Sequence, residues 1–331
     1  MRIGILTREY PPEVYGGAGV HVEYLTRELA RHVDVRVHCF GEPRSSPLVA
    51  AAYQPWEALQ GGRPEDAALA VMSVDLAMAG GLEGMDLVHS HTWYANLAGH
   101  LAKLVWDVPH VCTSHSLEPL RPWKAEQLGG GYALSLFCER TALLSAEAVI
   151  AVSDAMRQDL LACYPEVDPG RVHTIHNGID ARGYVPDHGE AALVRRGIDP
   201  GRPLIVFVGR IARQKGLDHL LRAAAQIDRA AQVVLIASAV GGIPEIVVDG
   251  ETGYLVPCDP EAVASDPAAA RHFEATLAER INQLIADPDL ATRLGTAGRR
   301  RVLERFTWEQ VALRTVEVYR QAIAAHAAGT G

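Results

Sequence analysis

The sequence predicts an α/β protein of two domains, each a parallel sheet covered by helices, and three observations carry that expectation. The chain has 331 residues, enough for two separate cores at roughly 100–200 residues per domain. Short apolar runs alternate with longer amphipathic stretches, as βα units require. The series halts in a turn-rich stretch and then resumes, which predicts a first domain over 1–177, a linker over 178–200 and a second domain over 201–305.

Taken in order, the first domain offers strand candidates at 3–7, 33–39, 87–90, 108–114, 149–153 and 172–176, each followed by a helical stretch. The second offers only 204–208 and 232–236, plus the segment 254–256. A closing helix over 309–325 follows Phe306-Thr307-Trp308. Its apolar positions Val311, Ala312, Thr315, Val318, Tyr319 and Ile323 recur at helical spacing, so one face must be buried.

Composition removes several function classes. Apolar residues make up 48% and charged residues 21%, an ordinary globular balance that excludes global disorder. The net charge of −9 repels polyanions, so nucleic acid is not an expected partner. The basic stretch Arg293, Arg299, Arg300, Arg301 and Arg305 falls at helical spacing and reads as a solvated helix face, with an anion site as the alternative. The five cysteines include no C-x-x-C pair, which suits reduced thiols rather than a disulfide framework or a zinc ribbon. The β-like run begins directly after Met1, and no stretch nears the ~18 uninterrupted apolar residues of a membrane span. A cytoplasmic protein without a membrane partner is expected.

Three places could carry chemistry. After the first strand, Gly16-Gly17-Ala18-Gly19 precedes a helix, where backbone amides can approach a phosphate; a plain tight turn is the alternative. The loop is not a dinucleotide fingerprint, because Cys39-Phe40-Gly41 stands where an acidic residue is expected. In the second domain, Arg210 and Lys215 follow a strand, where two cations could hold a diphosphate and stabilise it as a leaving group. Finally, His89 and His91 close one strand and His115 the next, a set able to donate hydrogen bonds or transfer protons. The adjoining Trp93 and Tyr94 could stack on a sugar or simply pack.

Together, T-R-E-Y-P-P-x-x-Y-G-G-A-G, H-S-H-T-W-Y-A, T-S-H-S-L-E-P-L-R-P-W-K, S-x-A-M-R-x-D, H-N-G-I-D, G-R-I-x-R-Q-K-G and G-G-I-P-E-I-V-x-D-G-E-T-G-Y-L-V resemble the actinobacterial glycogen-synthase branch of retaining GT-B glycosyltransferases, over nearly the whole chain. The resemblance implies two Rossmann-like domains facing a cleft, and a closing helix over 306–331 that crosses back to the first domain. It implies that Gly16 and Gly17 approach the donor diphosphate, that Arg210 and Lys215 neutralise it, and that His115 contacts the transferred glucose. On the acceptor side it implies His91, with Trp93 and Tyr94 beside it. The expected donor is ADP-glucose, with no metal ion. The expected acceptor is an α-1,4-glucan or glucose 1-phosphate, in glycogen biosynthesis. A homodimer is left open.

One departure from the pattern bears on activity. The resemblance implies further βα units after the strand at 232–236, carrying two glutamates that contact the sugar and the ribose. Here Ile236-Ala237-Ser238-Ala239-Val240 runs directly into Gly241-Gly242-Ile243-Pro244-Glu245. At about 30 residues per βα unit, roughly 60 to 80 residues are missing and the second domain is shortened. A non-catalytic nucleotide-sugar or glucan binder derived from the same family is therefore the competing reading. A Rossmann-type oxidoreductase is disfavoured by the missing fingerprint.

Overall fold

The computed structural model describes residues 1–185, 189–195, 197–207, 216–228, 231–232 and 243–329. The chain divides into two units, one of Met1–Asp180 with Phe306–Gly331 and one of Ala181–Arg305.

The first unit is built on one parallel sheet of seven strands in the order β3-β2-β1-β4-β5-β6-β7: β1 (Arg2–Thr7), β2 (Asp34–Phe40), β3 (Val49–Tyr53), β4 (Leu87–His91), β5 (His110–Ser114), β6 (Ala148–Ala151) and β7 (Val172–Thr174). Ile3 pairs with Val35 on one side and with Leu87 on the other, so β1 is an interior strand. β4, β5 and β6 are buried along their whole length, as strands covered on both faces must be.

β3 is the one strand with no counterpart among the sequence candidates. Its Val-Ala-Ala-Ala-Tyr run favours helix by propensity and becomes a strand only because β2 offers an edge to pair with. The side chains join there as well, with His38 Nδ1 2.9 Å from the Tyr53 hydroxyl.

Helices cover both faces: α1 (Gly17–Leu29), α2 (Pro64–Gly80), α3 (Trp93–Trp106), α4 (Lys124–Leu128), α5 (Gly131–Ser145) and α6 (Asp154–Cys163). Ile3 and Ile5 point into one core with Val22, Leu25 and Leu29 of α1 and with Val311, Val316, Val318 and Tyr319 of the closing helix Trp308–Gly329. Leu6 and Val88 point to the opposite core, with Val74 and Met78 of α2 and Ala95 and Ala98 of α3.

The closing helix is tied in at its start. The Ile179 amide donates to the Phe306 carbonyl at 2.8 Å. Gly178 lies so close beneath Trp308 that a Cβ there would sit 2.7 Å from the indole. The glycine of H-N-G-I-D is therefore required by a residue 130 positions away.

In the second unit, Ile205, Leu220, Phe273, Leu277 and Ile281 share a core, and Leu204 forms a parallel bridge with Gln232. The rest of the two expected strands, at 208 and 233–236, lies outside the described residues. The expected strand at 254–256 is not one. The Leu255 amide donates to the Asp249 carboxylate at 2.8 Å, because the turn around Gly250, at φ +72°, folds the chain back on itself. The basic stretch serves a structural purpose here: Arg299 donates to the Tyr184 carbonyl and Arg301 to those of Glu245 and Ile246. Among the described residues, no helix is long and apolar enough to cross a membrane.

Candidate active site

In the strand order, the chain leaves β1 for β2 on one side while β4 lies on the other, and in open α/β sheets ligands bind in the crevice beyond the carboxyl ends where such connections diverge. The loops after β1, β4 and β5 converge there.

The loop after β1 is organised by Glu9. One carboxylate oxygen accepts the Gly16 amide at 2.8 Å and the Tyr15 amide at 3.1 Å, so an internal anion occupies part of the cradle that the glycines form. A Cβ on Gly19 would come within 2.6 Å of that carboxylate, whereas a Cβ on Gly17 would meet nothing within 4 Å. Of the two glycines expected to approach a diphosphate, Gly16 has its amide committed to Glu9. Gly17 borders open space at the first turn of α1, which has no side-chain cap.

Four imidazoles meet at the ends of β4 and β5. His89 is saturated, with Nδ1 2.7 Å from the Tyr319 hydroxyl and Nε2 2.7 Å from Thr113 Oγ1. His91 is buried and its Nδ1 lies 3.1 Å from His115 Nε2. His21, arriving on α1, stands edge-on to His115 with ring centres 4.6 Å apart, and its Nδ1 lies 2.8 Å from Asn177 Oδ1. Trp308 closes the far side of His21 at 5.3 Å. Burial lowers the pKa of His21 to about 4 and pushes His91 and His115 well below the ordinary imidazole range, helped by the neighbouring rings. The cluster is neutral at pH 7, so each ring can donate one hydrogen bond and accept one.

Thr92, which joins β4 to α3, has φ +64° and ψ 164°. A β-branched residue there is strained by about 1–3 kcal/mol, and strain of that kind gathers at functional sites.

The loop after His115 is clamped from below. Glu118 is buried and accepts from Lys124 Nζ at 2.8 Å and from Ser135 Oγ at 2.9 Å, while its amide donates to Glu139 at 2.8 Å. Tyr164 donates to the same Glu139 carboxylate at 2.6 Å. Burial raises Glu139 to about 7, against the pull of the Tyr164 hydrogen bond. This network explains why the motif continues from Ser116 through Lys124.

The structure brings His91 and His115 into direct contact and sets Tyr94 nearby, half-buried beneath the Arg8 guanidinium at 4.2 Å. Trp93 differs from its expected acceptor role. It is buried among Ala68, Val71, Leu97 and Cys138, leaving no ring face open for a sugar. Arg210 and Lys215 lie outside the described residues. Sequence reasoning missed His21, Glu9, Asn177 and Tyr319 as individual members of the site. His21 sits at a core-facing position of α1, and the only available signal was that a histidine occupied a position where an aliphatic residue would pack.

Solved structures with the same architecture include sucrose-phosphate synthase from Thermosynechococcus elongatus, at TM-score 0.72 and 21% identity, covering 98% of this chain and 99% of that one. The catalytic domain of starch synthase IV from Arabidopsis thaliana bound to ADP and acarbose matches at TM-score 0.66 and 13% identity, covering 97% and 99%. The fold is that of the GT-B glycosyltransferases.

Residues 15–182 match the model of Glycosyltransferase Family 4, and the chain belongs to that family. It is 43% identical to the alpha-maltose-1-phosphate synthase of Mycolicibacterium smegmatis over 97% of this chain and 99% of that protein, and 43% identical to the enzyme of Mycobacterium tuberculosis over 98% and 100%. It is a glycosyltransferase close to these enzymes. The match with the first spans 397 positions against 331 residues here, so at least 66 positions of that relative have no residue opposite them. This agrees with the roughly 60 to 80 residues expected from the sequence. The junction after Ile236 lies outside the described residues.

Proposed function

We propose that this chain derives from a retaining glucosyltransferase that moves glucose from ADP-glucose to glucose 1-phosphate, with an α-1,4-glucan as the alternative acceptor, in glycogen biosynthesis. The observation that carries this reading is the 43% identity to alpha-maltose-1-phosphate synthases over nearly the full length of both chains.

The residues fit the chemistry. Glucose offers hydroxyls that both donate and accept, and the neutral rings of His91 and His115 do the same. Gly17 stands at the positive end of α1, and a Cβ there would meet nothing within 4 Å, so a donor phosphate could approach the backbone at this turn. Arg210 and Lys215 would neutralise the departing diphosphate, a task for fixed cations that needs no metal ion. The leaving group would depart, and the acceptor attack, on the same face of the sugar, with the diphosphate held close enough to take the acceptor proton.

Radiolabelled ADP-glucose, incubated with the chain and either glucose 1-phosphate or glycogen, tests the reading directly. Label in maltose 1-phosphate supports it, and label only in glucan selects the alternative acceptor. Binding of ADP without any transfer would favour a nucleotide-sugar binder. In the same protein, Lys215→Ala is expected to weaken ADP binding by about 1.5–3 kcal/mol, the range for charged hydrogen bonds. Unchanged affinity by calorimetry would remove Lys215 from the donor site.

A further inference from the structure

Three imidazoles from three different segments converge at the crevice. One nitrogen from each of His21, His91 and His115 falls within 4.8 Å of the other two. The Asn177 carbonyl oxygen can only accept, so His21 carries its proton on Nδ1 and leaves Nε2 as a bare lone pair. That Nε2 is buried and has no hydrogen-bond partner, and the same holds for His91 Nε2. His91 Nδ1 and His115 Nε2 face each other at 3.1 Å and share one proton at most. His89 cannot relieve the shortage, because Tyr319 and Thr113 already take both its nitrogens. A buried lone pair without a partner, such as that of His21 Nε2, costs about 1–3 kcal/mol, so the cluster lacks a donor or a cation at that nitrogen.

We propose that His21, His91 and His115 form a binding site for a zinc(II) ion, and that zinc held there opposes sugar transfer. Zinc–imidazole bonds of about 2.0–2.1 Å put tetrahedral nitrogen neighbours about 3.3–3.4 Å apart. The 3.1 Å contact lies within about 0.3 Å of that spacing, and the other nitrogen separations, all within 4.8 Å, shorten by rotation of the rings as the ion binds. An all-imidazole set suits zinc and excludes magnesium and calcium, which take oxygen ligands. Asn177 fixes the tautomer of His21 from behind, as outer partners do for metal-bound histidines. The rings are neutral, so a metal displaces few protons at pH 7. Once bound, zinc occupies lone pairs of His91 and His115. Its opposition to transfer rests on the sugar-contacting role proposed above, whereas the binding itself does not.

The test uses the full chain, stripped with a chelator that is then removed, and titrated with zinc chloride by calorimetry. One zinc per chain at micromolar affinity is expected, and cobalt(II) in its place should give the visible bands of a four-coordinate nitrogen site. His21→Ala should weaken binding at least 10-fold, while His272→Ala, on an exposed helix face of the second unit, should leave it unchanged. Asn177→Asp should tighten binding several-fold, a gain that misfolding does not mimic. No saturable zinc binding, binding that His21→Ala leaves intact, or no gain with Asn177→Asp would each overturn the site. If zinc binds as expected, transfer activity should fall in step with occupancy and return with chelator. Activity indifferent to a filled site would overturn the inhibition.

Discussion

Glu9 shows how one side chain sets the requirements of the glycine loop. Its carboxylate fills the space over Gly19 and leaves Gly17 open, so two glycines two positions apart should tolerate substitution very differently. Gly19→Ala is expected to cost about 1–3 kcal/mol, because the new Cβ forces Glu9 or Val14 aside. Gly17→Ala should stay within ~0.5 kcal/mol, and urea unfolding of both variants checks the contrast. Buried titratable groups make a second prediction at this scale. Burial lowers His38 to about 4 and His110 to about 3, both below the unfolded value near 6.5. Unfolding therefore takes up protons below pH 6.5, and stability should fall as the pH drops from there toward 4, by about 1.4 kcal/mol per pH unit for each proton taken up. Glu139 runs the other way. Its folded value of about 7 exceeds its unfolded one, so its contribution is present below pH ~4.5 and is lost as pH rises through 7. His21, lowered to about 4, acts in the same direction, so the depressed histidines outnumber Glu139, and Glu139→Gln should make the rise of stability with pH steeper. A slope unchanged in that variant would mean that Glu139 titrates normally.

Among the elements, the closing helix has the most consequence for the site. It buries Val311, Val316, Val318 and Tyr319 against the central strands, and its Tyr319 hydroxyl meets His89 while its Trp308 backs His21. Four such side chains, at about 1.5–3 kcal/mol each, rival the whole stability of a typical domain. Deleting 309–331 should therefore expose the β1–β2 face and drive aggregation, visible by light scattering during purification. A soluble, equally stable truncation would contradict this packing. The edge strand β3 makes the complementary point. Its alanines bury little, and its conformation is imposed by β2 rather than by its own residues.

For the whole molecule, the decisive quantity is the length missing relative to the maltose-1-phosphate synthases. If those positions carry the sugar-contacting and ribose-contacting glutamates, this chain has lost contacts that strengthen in the transition state, and these govern turnover more than binding. We expect it to bind ADP weakly and to transfer glucose at least ~10²-fold more slowly than a relative with the segment, the scale of losing one preorganised electrostatic group. The comparison requires protein of confirmed mass, assayed side by side. Equal turnover would mean that other residues have taken over the lost contacts.

Features of local order are legible in the chain before any folding. Alternating apolar runs marked every strand of the first sheet except the alanine-rich β3, and helical spacing marked the closing helix. Motif residues at strand ends marked Gly17, His91 and His115, because chain order and sheet topology place strand ends together. The remainder came from packing between distant elements. Trp93 was ambiguous until its ring was seen packed among Val71 and Leu97. Glu9 became part of the loop only through its hydrogen bonds to Tyr15 and Gly16. His21 joined His91 and His115, and Trp308 came to rest on Gly178, across separations that no periodicity encodes. A repeating pattern records which face of an element is buried; which side chain it meets there depends on the packing of elements distant in the chain.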